Sequence, residues 1–261
     1  MNIIVCIKQV PGTTEVKINS ETNTLVREGV ESIINPFDTY AVEEGVSLKE
    51  RFEGKVTILT MGPPQAESAL RQTIEVGADE GVLVSDRAFA GSDTLATSYV
   101  LSKAIAHIKD YDLIIVGKQT MDGDTGQVGP GISERLGLPF VGYVSAIEEI
   151  ADGVMRAQRM IDEGHETIEV ALPCVISVSK EINVPRLPSL RGKMKAKSAQ
   201  FSHFSANDLG IEENMVGVAG SPTWVMQIFS PKRECRSEML EGNAAQKVEA
   251  LVGKLTDIKI I

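Results

Sequence analysis

The sequence predicts an α/β protein with a doubly wound parallel sheet, extended by an antiparallel hairpin and a C-terminal arm. Between residues 2 and 117, short apolar strand patterns alternate four times with helical patterns. This alternation is typical of a parallel sheet covered by helices on both faces. Two further strand patterns, joined by turn-forming residues between 154 and 172, indicate the hairpin. The residues after 205 are too few to form an independent core, so they are expected to form an arm that packs on another subunit.

The individual elements follow from local patterns. Runs of apolar and β-branched residues predict buried strands at 2–7, 55–60, 82–85, 112–116 and 174–178. Apolar residues at helical spacing, or helix formers bounded by capping residues or glycine, predict helices at 40–51, 65–76, 93–108, 132–136 and 244–255. Paired strand patterns predict hairpins that join 16–18 to 24–26 and 154–160 to 167–172. A short strand is also expected around Trp224 in the arm.

The composition restricts the class of protein. A formal net charge of -10 disfavours nonspecific nucleic-acid binding, which needs a broad basic face. Cys6, Cys174 and Cys235 are far apart and form no CxxC pair, so neither a disulfide framework nor a metal site is expected. The sequence has no pattern of an export signal and no apolar stretch of membrane-spanning length. These features favour a cytoplasmic protein with reduced thiols and no membrane insertion.

A candidate ligand site follows the predicted strand at 112–116, in a segment with glycines at 123, 126, 129 and 131. Small side chains would let backbone N–H groups approach a ligand at the start of the next helix, and a helix N-terminus favours phosphate. The P-loop, GxGxxG and EF-hand patterns do not match this segment. A solvated Gly/Asp loop is the alternative. The length of the glycine segment argues against this alternative, because open α/β sheets place ligands in long loops at the carboxyl ends of strands.

Three other segments reach the same edge of the predicted sheet: residues 6–10, residues 35–38, and Met61 with Gly62. We expect them to line one site with the glycine segment. Asn35 or Asp38 would cap the following helix, and a plain helix start at Asn35-Pro36 is an equally good interpretation. The histidines form no cluster, and no GxSxG, HExxH or paired-carboxylate pattern is present. No catalytic residue is therefore predicted, and a bound cofactor would carry the chemistry.

Residues 185–197 (PRLPSLRGKMKAK) are locally basic in an acidic chain and contain no acidic residue. Leucine and methionine alternate with the arginines and lysines. Two prolines and a glycine argue against a regular helix at the start, so an exposed loop is expected. Exposed leucine framed by positive charge indicates docking to an acidic partner. A solvated basic loop is the alternative.

Taken together, these segments resemble the β subunit of electron-transfer flavoproteins over essentially the whole chain. The resemblance is carried by IIVCIKQVPGT at the start, NPFDTYAVEE at 35–44, Met61-Gly62-Pro63, VGKQTMDGDTGQVGP at 116–130 and the basic segment. It implies a heterodimer with an α subunit that holds the electron-carrying FAD on a mobile domain, and an adenine-nucleotide site in this chain. The site residues that it implies are Cys6, Asn35, Pro36, Phe37, Asp38, Met61, Thr120, Met121, Asp122, Gly123, Asp124, Thr125, Gly126, Gln127, Val128, Gly129, Pro130 and Gly131.

The family implies one of two ligands for that site. Respiratory members bind AMP, whereas electron-bifurcating members bind a second FAD that accepts a hydride from NADH. The segments at 11–29 and 122–130 are similar to the bifurcating branch. That branch implies transfer of one electron to ferredoxin and one, through the α-subunit FAD, to a flavoenzyme such as an acyl-CoA dehydrogenase or reductase. AMP is the alternative ligand.

The basic segment is similar to the family's recognition loop, with Leu190 at the position of its anchoring leucine. The resemblance implies docking through Leu187, Leu190, Arg191, Lys193, Met194 and Lys195. The expected domains are an FAD-binding α/β domain at 1–184, a recognition loop at 185–200, and an arm at 201–261 that packs on the α subunit.

Two interpretations from other classes are weaker. A stand-alone adenine-nucleotide-binding regulatory or ligase-type domain would share the sheet, but an ATP-cleaving member needs an SGGxDS-like loop after the first strand. This chain has KQVPGT there. An NAD-dependent dehydrogenase would need the dinucleotide fingerprint and a proton-transfer histidine, and neither is recognisable in the sequence.

Overall fold

A computed structural model describes residues 1–12, 17–19, 24–26, 32–224, 226 and 237–261. The chain divides into two compact units, Met1–Met226 and Gln227–Ile261. Cys235 and most of the run that follows Trp224 lie outside the described residues.

The strands are β1 (Asn2–Ile7), β2 (Gln9–Pro11), β3 (Lys17–Asn19), β4 (Thr24–Val26), β5 (Ser32–Ile34), β6 (Lys55–Met61), β7 (Glu80–Val84), β8 (Leu113–Gly117), β9 (Phe140–Ala151), β10 (Val154–Ile161), β11 (Gly164–Ala171), β12 (Cys174–Val178) and β13 (Ser202–Phe204). The α-helices are α1 (Pro36–Phe52), α2 (Glu67–Glu75), α3 (Thr94–Ile108), α4 (Val128–Leu136), α5 (Leu190–Ser198) and α6 (Ala244–Asp257). Short 3₁₀ turns occupy Pro64–Ala66, Arg87–Phe89 and Glu213–Met215.

A nine-stranded sheet forms the centre of the first unit, in the order β11-β10-β9-β12-β8-β1-β6-β7-β13. The strands from β9 to β13 in this order pair in parallel. The meander of β9, β10 and β11 is antiparallel and closes one edge. The predicted fold class is confirmed, and β3 pairs with β4 as the predicted hairpin.

Alternation along the central strand places one hydrophobic layer on each face of the sheet. Ile3, Val5 and Ile7 pack with α1 and α2 on one face. Ile4 and Cys6 pack with α3 and α4 on the other. Because both faces of β1 are covered, it is apolar along nearly its whole length, as expected for an inner parallel strand. The layers leave the carboxyl ends of the strands as the edge where a ligand site can form.

Several elements differ from their prediction: β2, β5 and β13 were not predicted, and α1 begins at residue 36 rather than 40. Strand β9 was not predicted, because Gly142 and Tyr143 interrupt its alternating pattern; Tyr143 has a φ of 62° and the pairing shifts register there. Helix α4 begins at residue 128 rather than 132. The segment 185–197 was expected to be a loop, but from residue 190 it forms helix α5. The Ser189 side chain caps this helix by accepting from the Gly192 amide at 2.9 Å.

Gly192 lies inside α5 because of packing. A Cβ at this position would lie 2.0 Å from the carbonyl oxygen of Glu75 on α2. The prolines that argued against a helix both precede its first residue. Glycine here allows two helix backbones to approach, rather than ending a helix.

The boundary expected at residue 201 is also displaced. Strand β13 pairs in parallel with β7, and the first unit continues to Met226. The second unit contains α6, close to the predicted closing helix, with a capping box between Asn243 and Gln246. Trp224 is in no strand and is 69% exposed.

Candidate functional site

A cavity of about 1010 Å³ opens at the carboxyl edge of the parallel sheet. It is lined where β1, β6, β7 and β8 end, as the topology requires for a ligand site in an open α/β fold. We call residues 116–129 the near wall and residues 85–97 the far wall. Residues 6–8, Asp38 and residues 61–64 line the space between the two walls.

The near wall ends in a helix N-terminus that offers free donors. Gln127 is the N-cap residue of α4, and its side chain makes no capping hydrogen bond. Within the described residues, the backbone N–H groups of Gln127, Val128 and Gly129 donate to no protein acceptor. All three residues line the cavity. Donors of this kind, at the positive end of the helix dipole, suit a phosphate group.

Two of the four glycines that indicated a ligand loop serve packing instead. A Cβ on Gly129 would lie 2.9 Å from Val116 and 3.2 Å from Phe140. On Gly131 it would lie 2.7 Å from the Ser98 hydroxyl of α3. Gly126 is different, since its φ of 62° is in the left-handed region that favours glycine. Close helix packing therefore explains part of the glycine pattern.

Asn35 holds the near wall in place. Its side chain is fully buried, donates from Nδ2 to the Gln119 carbonyl at 2.9 Å, and accepts from the Met121 amide at 3.0 Å. The expected side-chain cap on α1 is absent for Asn35, the N-cap residue, because both ends of its amide are engaged by the loop. Asp38 does not cap α1 either; its Oδ2 accepts from the Lys8 amide at 2.7 Å. These bonds connect the loop after β8 and the end of β1 to the start of α1.

The buried groups beside the loop resist ionisation. Burial raises the pKa of Asp38 to about 7, although hydrogen bonds from the Lys8 amide and Asn35 oppose this. Burial, and then the nearby Asp38 charge, raise the pKa of the Cys6 thiol to about 12. Cys6 is therefore a neutral lining group with no thiolate character.

Several charged side chains belong to the near wall or contact it. Lys8 Nζ lies 2.7 Å from the Asp122 carboxylate. Burial disfavours ionised Asp122, but the bonds and charge of Lys8 outweigh burial and lower its pKa. Asp124 accepts a hydrogen bond from the Gln119 side chain. Lys118 Nζ lies 5.3 Å from the centre of the Tyr143 ring. Because Lys8 is paired with Asp122, Lys118 is the lining lysine without a carboxylate partner among the described residues.

The far wall was not predicted, and it is held by distant segments. The Asp86 carboxylate accepts from the amides of Ala88 and Ala206 at 3.0 and 3.1 Å. Asp93 caps α3 with Oδ1, and its Oδ2 accepts from the Thr223 hydroxyl at 2.8 Å. The segment assigned to the arm thus braces the cavity. The one local signal was the Asp93-Thr94 helix start that follows a strand end.

The structure brings only part of the predicted site to the cavity. The predicted residues that line it are Cys6, Asp38, Met61, Thr120, Gly123, Thr125, Gly126, Gln127, Val128 and Gly129. Those that do not line it are Asn35, Pro36, Phe37, Met121, Asp122, Asp124, Pro130 and Gly131. Asn35 contributes indirectly, through the loop that it holds in place.

The predicted docking residues lie on another surface. Leu187, Leu190 and Met194 are 88%, 78% and 66% exposed. Lys195 differs from the expectation of a free basic side chain, because its Nζ donates to the Ala78 carbonyl at 3.0 Å. Arg191 and Lys193 have no ion-pair partner in the part of the chain that the structure describes.

The described residues contain no group of three or more His, Cys, Asp or Glu side chains that could hold a metal ion. Among the described helices, none has the length and apolar character needed to cross a membrane.

Comparison with known proteins places the chain in a family. Residues 22–209 match the electron transfer flavoprotein domain. The chain is 46% identical over 262 residues to the electron transfer flavoprotein subunit beta of Thermoanaerobacterium thermosaccharolyticum, covering 100% of both proteins. It is 44% identical over 263 residues to the caffeyl-CoA reductase-Etf complex subunit CarD of Acetobacterium woodii, again covering 100% of both. It is 43% identical over 259 residues to protein FixA of Bradyrhizobium diazoefficiens, covering 97% of this chain and 90% of FixA. The chain therefore belongs to the electron transfer flavoprotein family, as a β subunit.

Proposed function

We propose that the cavity binds FAD, and that the chain serves as the NADH-oxidising subunit of an electron-bifurcating flavoprotein. The observation that carries this proposal is the size of the cavity, about 1010 Å³ between two walls. Small-molecule sites span roughly 300–1,000 Å³, so this cavity is at the upper end of the range. A dinucleotide uses both walls, whereas a mononucleotide held at α4 leaves the far wall without a role.

The residues present fit a dinucleotide. The free N–H groups of Gln127, Val128 and Gly129 would hold phosphate oxygens. The neutral Cys6 and the apolar Met61 and Phe89 would line the space for rings. When bound, FAD supplies hydride acceptance from NADH and electron transfer to two acceptors. The chain itself binds the flavin, excludes water and sets the local charge; we assign no acid or base to it.

The proposed partners follow from the family and from the names of relatives. An α subunit holds the electron-carrying FAD. The relative from Acetobacterium woodii belongs to a caffeyl-CoA reductase-Etf complex, which supports an acyl-CoA reductase or dehydrogenase as the flavoenzyme partner. Ferredoxin is the second acceptor. The exposed Leu187, Leu190 and Met194, with Arg191 and Lys193 beside them, would enter an apolar pocket rimmed by carboxylates.

A β subunit that holds AMP is the second candidate. All the free backbone donors that we identify for phosphate lie on the near wall, so a mononucleotide could be bound there alone. The glycines do not decide between the ligands, because Gly129 and Gly131 serve packing.

Anaerobic NADH titration of the purified heterodimer tests the proposal. We expect NADH to bleach flavin absorbance, and ferredoxin to be reduced only when the high-potential flavoenzyme acceptor is also present. A heterodimer whose flavin absorbance does not respond to NADH would contradict the proposed function.

A further inference from the structure

Arg186 begins the basic segment, yet it faces its own chain. Its Nε donates to Glu43 Oε2 at 2.9 Å, and its Nη2 donates to Glu43 Oε1 at 3.0 Å. Its Nη1 and Nη2 also reach the two oxygens of Glu50 at 2.6 and 3.0 Å. The Arg186 amide donates to Glu43 Oε2 at 3.0 Å. The guanidinium is thus held by two carboxylates of α1, in the two-bond geometry that only arginine provides.

The surface of α1 under this arginine is unusually acidic. Glu43 and Glu44 are adjacent and only 8% and 9% exposed. Asn183 Nδ2 donates to Glu44 at 3.0 Å and to the Tyr40 carbonyl at 3.1 Å. Burial raises the pKa of Glu44, and the hydrogen bonds from Arg186 lower the pKa of Glu50. Buried carboxylates need a partner. The start of the basic segment provides one for Glu43, and Asn183 provides one for Glu44.

The other end of the segment is fixed to α2. Arg71 Nη1 donates to the Ala196 carbonyl at 2.6 Å, and Lys195 Nζ donates to the Ala78 carbonyl at 3.0 Å. The Ser189 amide donates to the Glu75 carbonyl at 3.3 Å. The segment is therefore attached both before and after its exposed leucines.

We propose that Arg186 is a positioning residue that fixes the orientation of Leu187 and Leu190 before a partner arrives. Its carboxylate contacts preorganise the docking surface, whereas Arg191 and Lys193 provide long-range attraction. The basic residues, which sequence alone treats as one group, then have two separate roles. This inference rests on the proposed docking function. Preorganisation strengthens binding because less side-chain and loop freedom is lost on association.

The test compares two equal changes in the full heterodimer, Arg186→Lys and Arg191→Lys. Lysine keeps the charge but cannot bridge two carboxylates with paired bonds. The probe is a purified acyl-CoA dehydrogenase that binds the wild-type heterodimer. For Arg186→Lys we expect roughly tenfold weaker binding, from about 0.5–1.5 kcal/mol for each side chain that must be ordered again. Amide hydrogen exchange at residue 186 and at Ser189, whose N–H groups donate to Glu43 and to the Glu75 carbonyl, should quicken, with nucleotide content unchanged. Arg191→Lys should leave this exchange unchanged, because Arg191 has no ion-pair partner among the described residues.

Each other outcome has a definite meaning. Wild-type affinity in Arg186→Lys would overturn the positioning role, and so would weaker binding without faster exchange, since that indicates direct contact with the partner. If Arg186→Lys fails to assemble, Glu50→Gln carries the test. Glu50 is 55% exposed and accepts two of the six hydrogen bonds that join Arg186 to the two carboxylates. We expect a smaller effect in the same direction from it, and unchanged affinity and exchange would overturn the proposal.

Leu190→Ala separates this inference from the proposed function. Loss of a buried leucine side chain costs about 1.5–3 kcal/mol, or roughly tenfold to hundredfold in affinity. If Leu190→Ala binds like the wild type, the docking function itself is wrong. If Leu190→Ala weakens binding but Arg186→Lys does not, only the positioning role is wrong.

Discussion

The two walls of the cavity are held by different kinds of contact. The near wall is fixed by Asn35, the N-cap residue of α1, and by Asp38 in the first turn of α1, and both belong to a recognisable motif. The far wall is fixed by the amide of Ala206 and by Thr223, each at least 120 residues from its partner Asp86 or Asp93. The near wall alone would suit a mononucleotide. Under the proposed function, the choice between the two ligands would depend on the far wall, which has the weaker sequence signal.

The largest effect is expected when the start of α4 is forced away from β8. In Gly129→Val, Cβ would lie 2.9 Å from Val116, and the branched side chain would worsen the contact. Overpacking typically costs about 1–3 kcal/mol, and the crowded backbone here places this variant at the upper end or beyond. We expect a lower Tm of the heterodimer and loss of bound nucleotide together. An unchanged Tm would show that α4 is not packed as described.

Gly126→Val is the matched change at a glycine without that packing role. Its Cβ would lie 3.3 Å from the Lys118 carbonyl, and a left-handed φ costs a non-glycine residue about 1–2 kcal/mol. We expect nucleotide to be lost from this site while the α-subunit flavin stays bound, with a smaller fall in Tm than for Gly129→Val. Equal loss of both nucleotides would contradict a local role.

Asp38 gives the near wall a pH dependence around neutral pH. Because its folded pKa of about 7 is above the ordinary value of 3.8, its contribution to stability is present below about pH 4 and is lost as pH rises through 7. Relative to Asp38→Asn, the wild type should therefore lose stability between pH 5 and 8. The slope is at most about 1.4 kcal/mol for each pH unit in that window. Thermal unfolding of both proteins at both pH values measures it, and a constant difference in Tm would contradict the assignment.

Asp93→Asn should give the smallest effect, and it addresses the far wall. Asparagine can keep the cap on α3 with its one carbonyl oxygen, but its NH2 group then replaces the oxygen that accepts from the Thr223 amide and hydroxyl. A bond to a charged group contributes about 1.5–3 kcal/mol, but the exposed Thr223 hydroxyl can turn to accept from the NH2 group, so about 1 kcal/mol should be lost. FAD affinity should fall while affinity for AMP is unchanged. Equal weakening of both ligands would show that the far wall is not a separate subsite.

Much of the fold could be predicted because its strands are short apolar runs separated by clear turns. The carboxyl ends of the strands then located the near wall. The glycine segment also misled the prediction, since glycine in α4 and α5 reflects close helix contacts that no local pattern reveals. The far wall could not be predicted, because its shape depends on Ala206, Gly217 and Thr223, whose proximity exists only in the folded chain. The roles of Arg186 and Lys195 were hidden for the same reason.

The most direct test of the account is the nucleotide content of the purified heterodimer. The protein would be denatured, and the released nucleotides would be separated and quantified against the concentrations of both chains. We predict FAD in an amount that fills both subunits, with no AMP. FAD sufficient for the α subunit alone, together with an equal amount of AMP, would contradict the proposal that both walls of this cavity hold one dinucleotide.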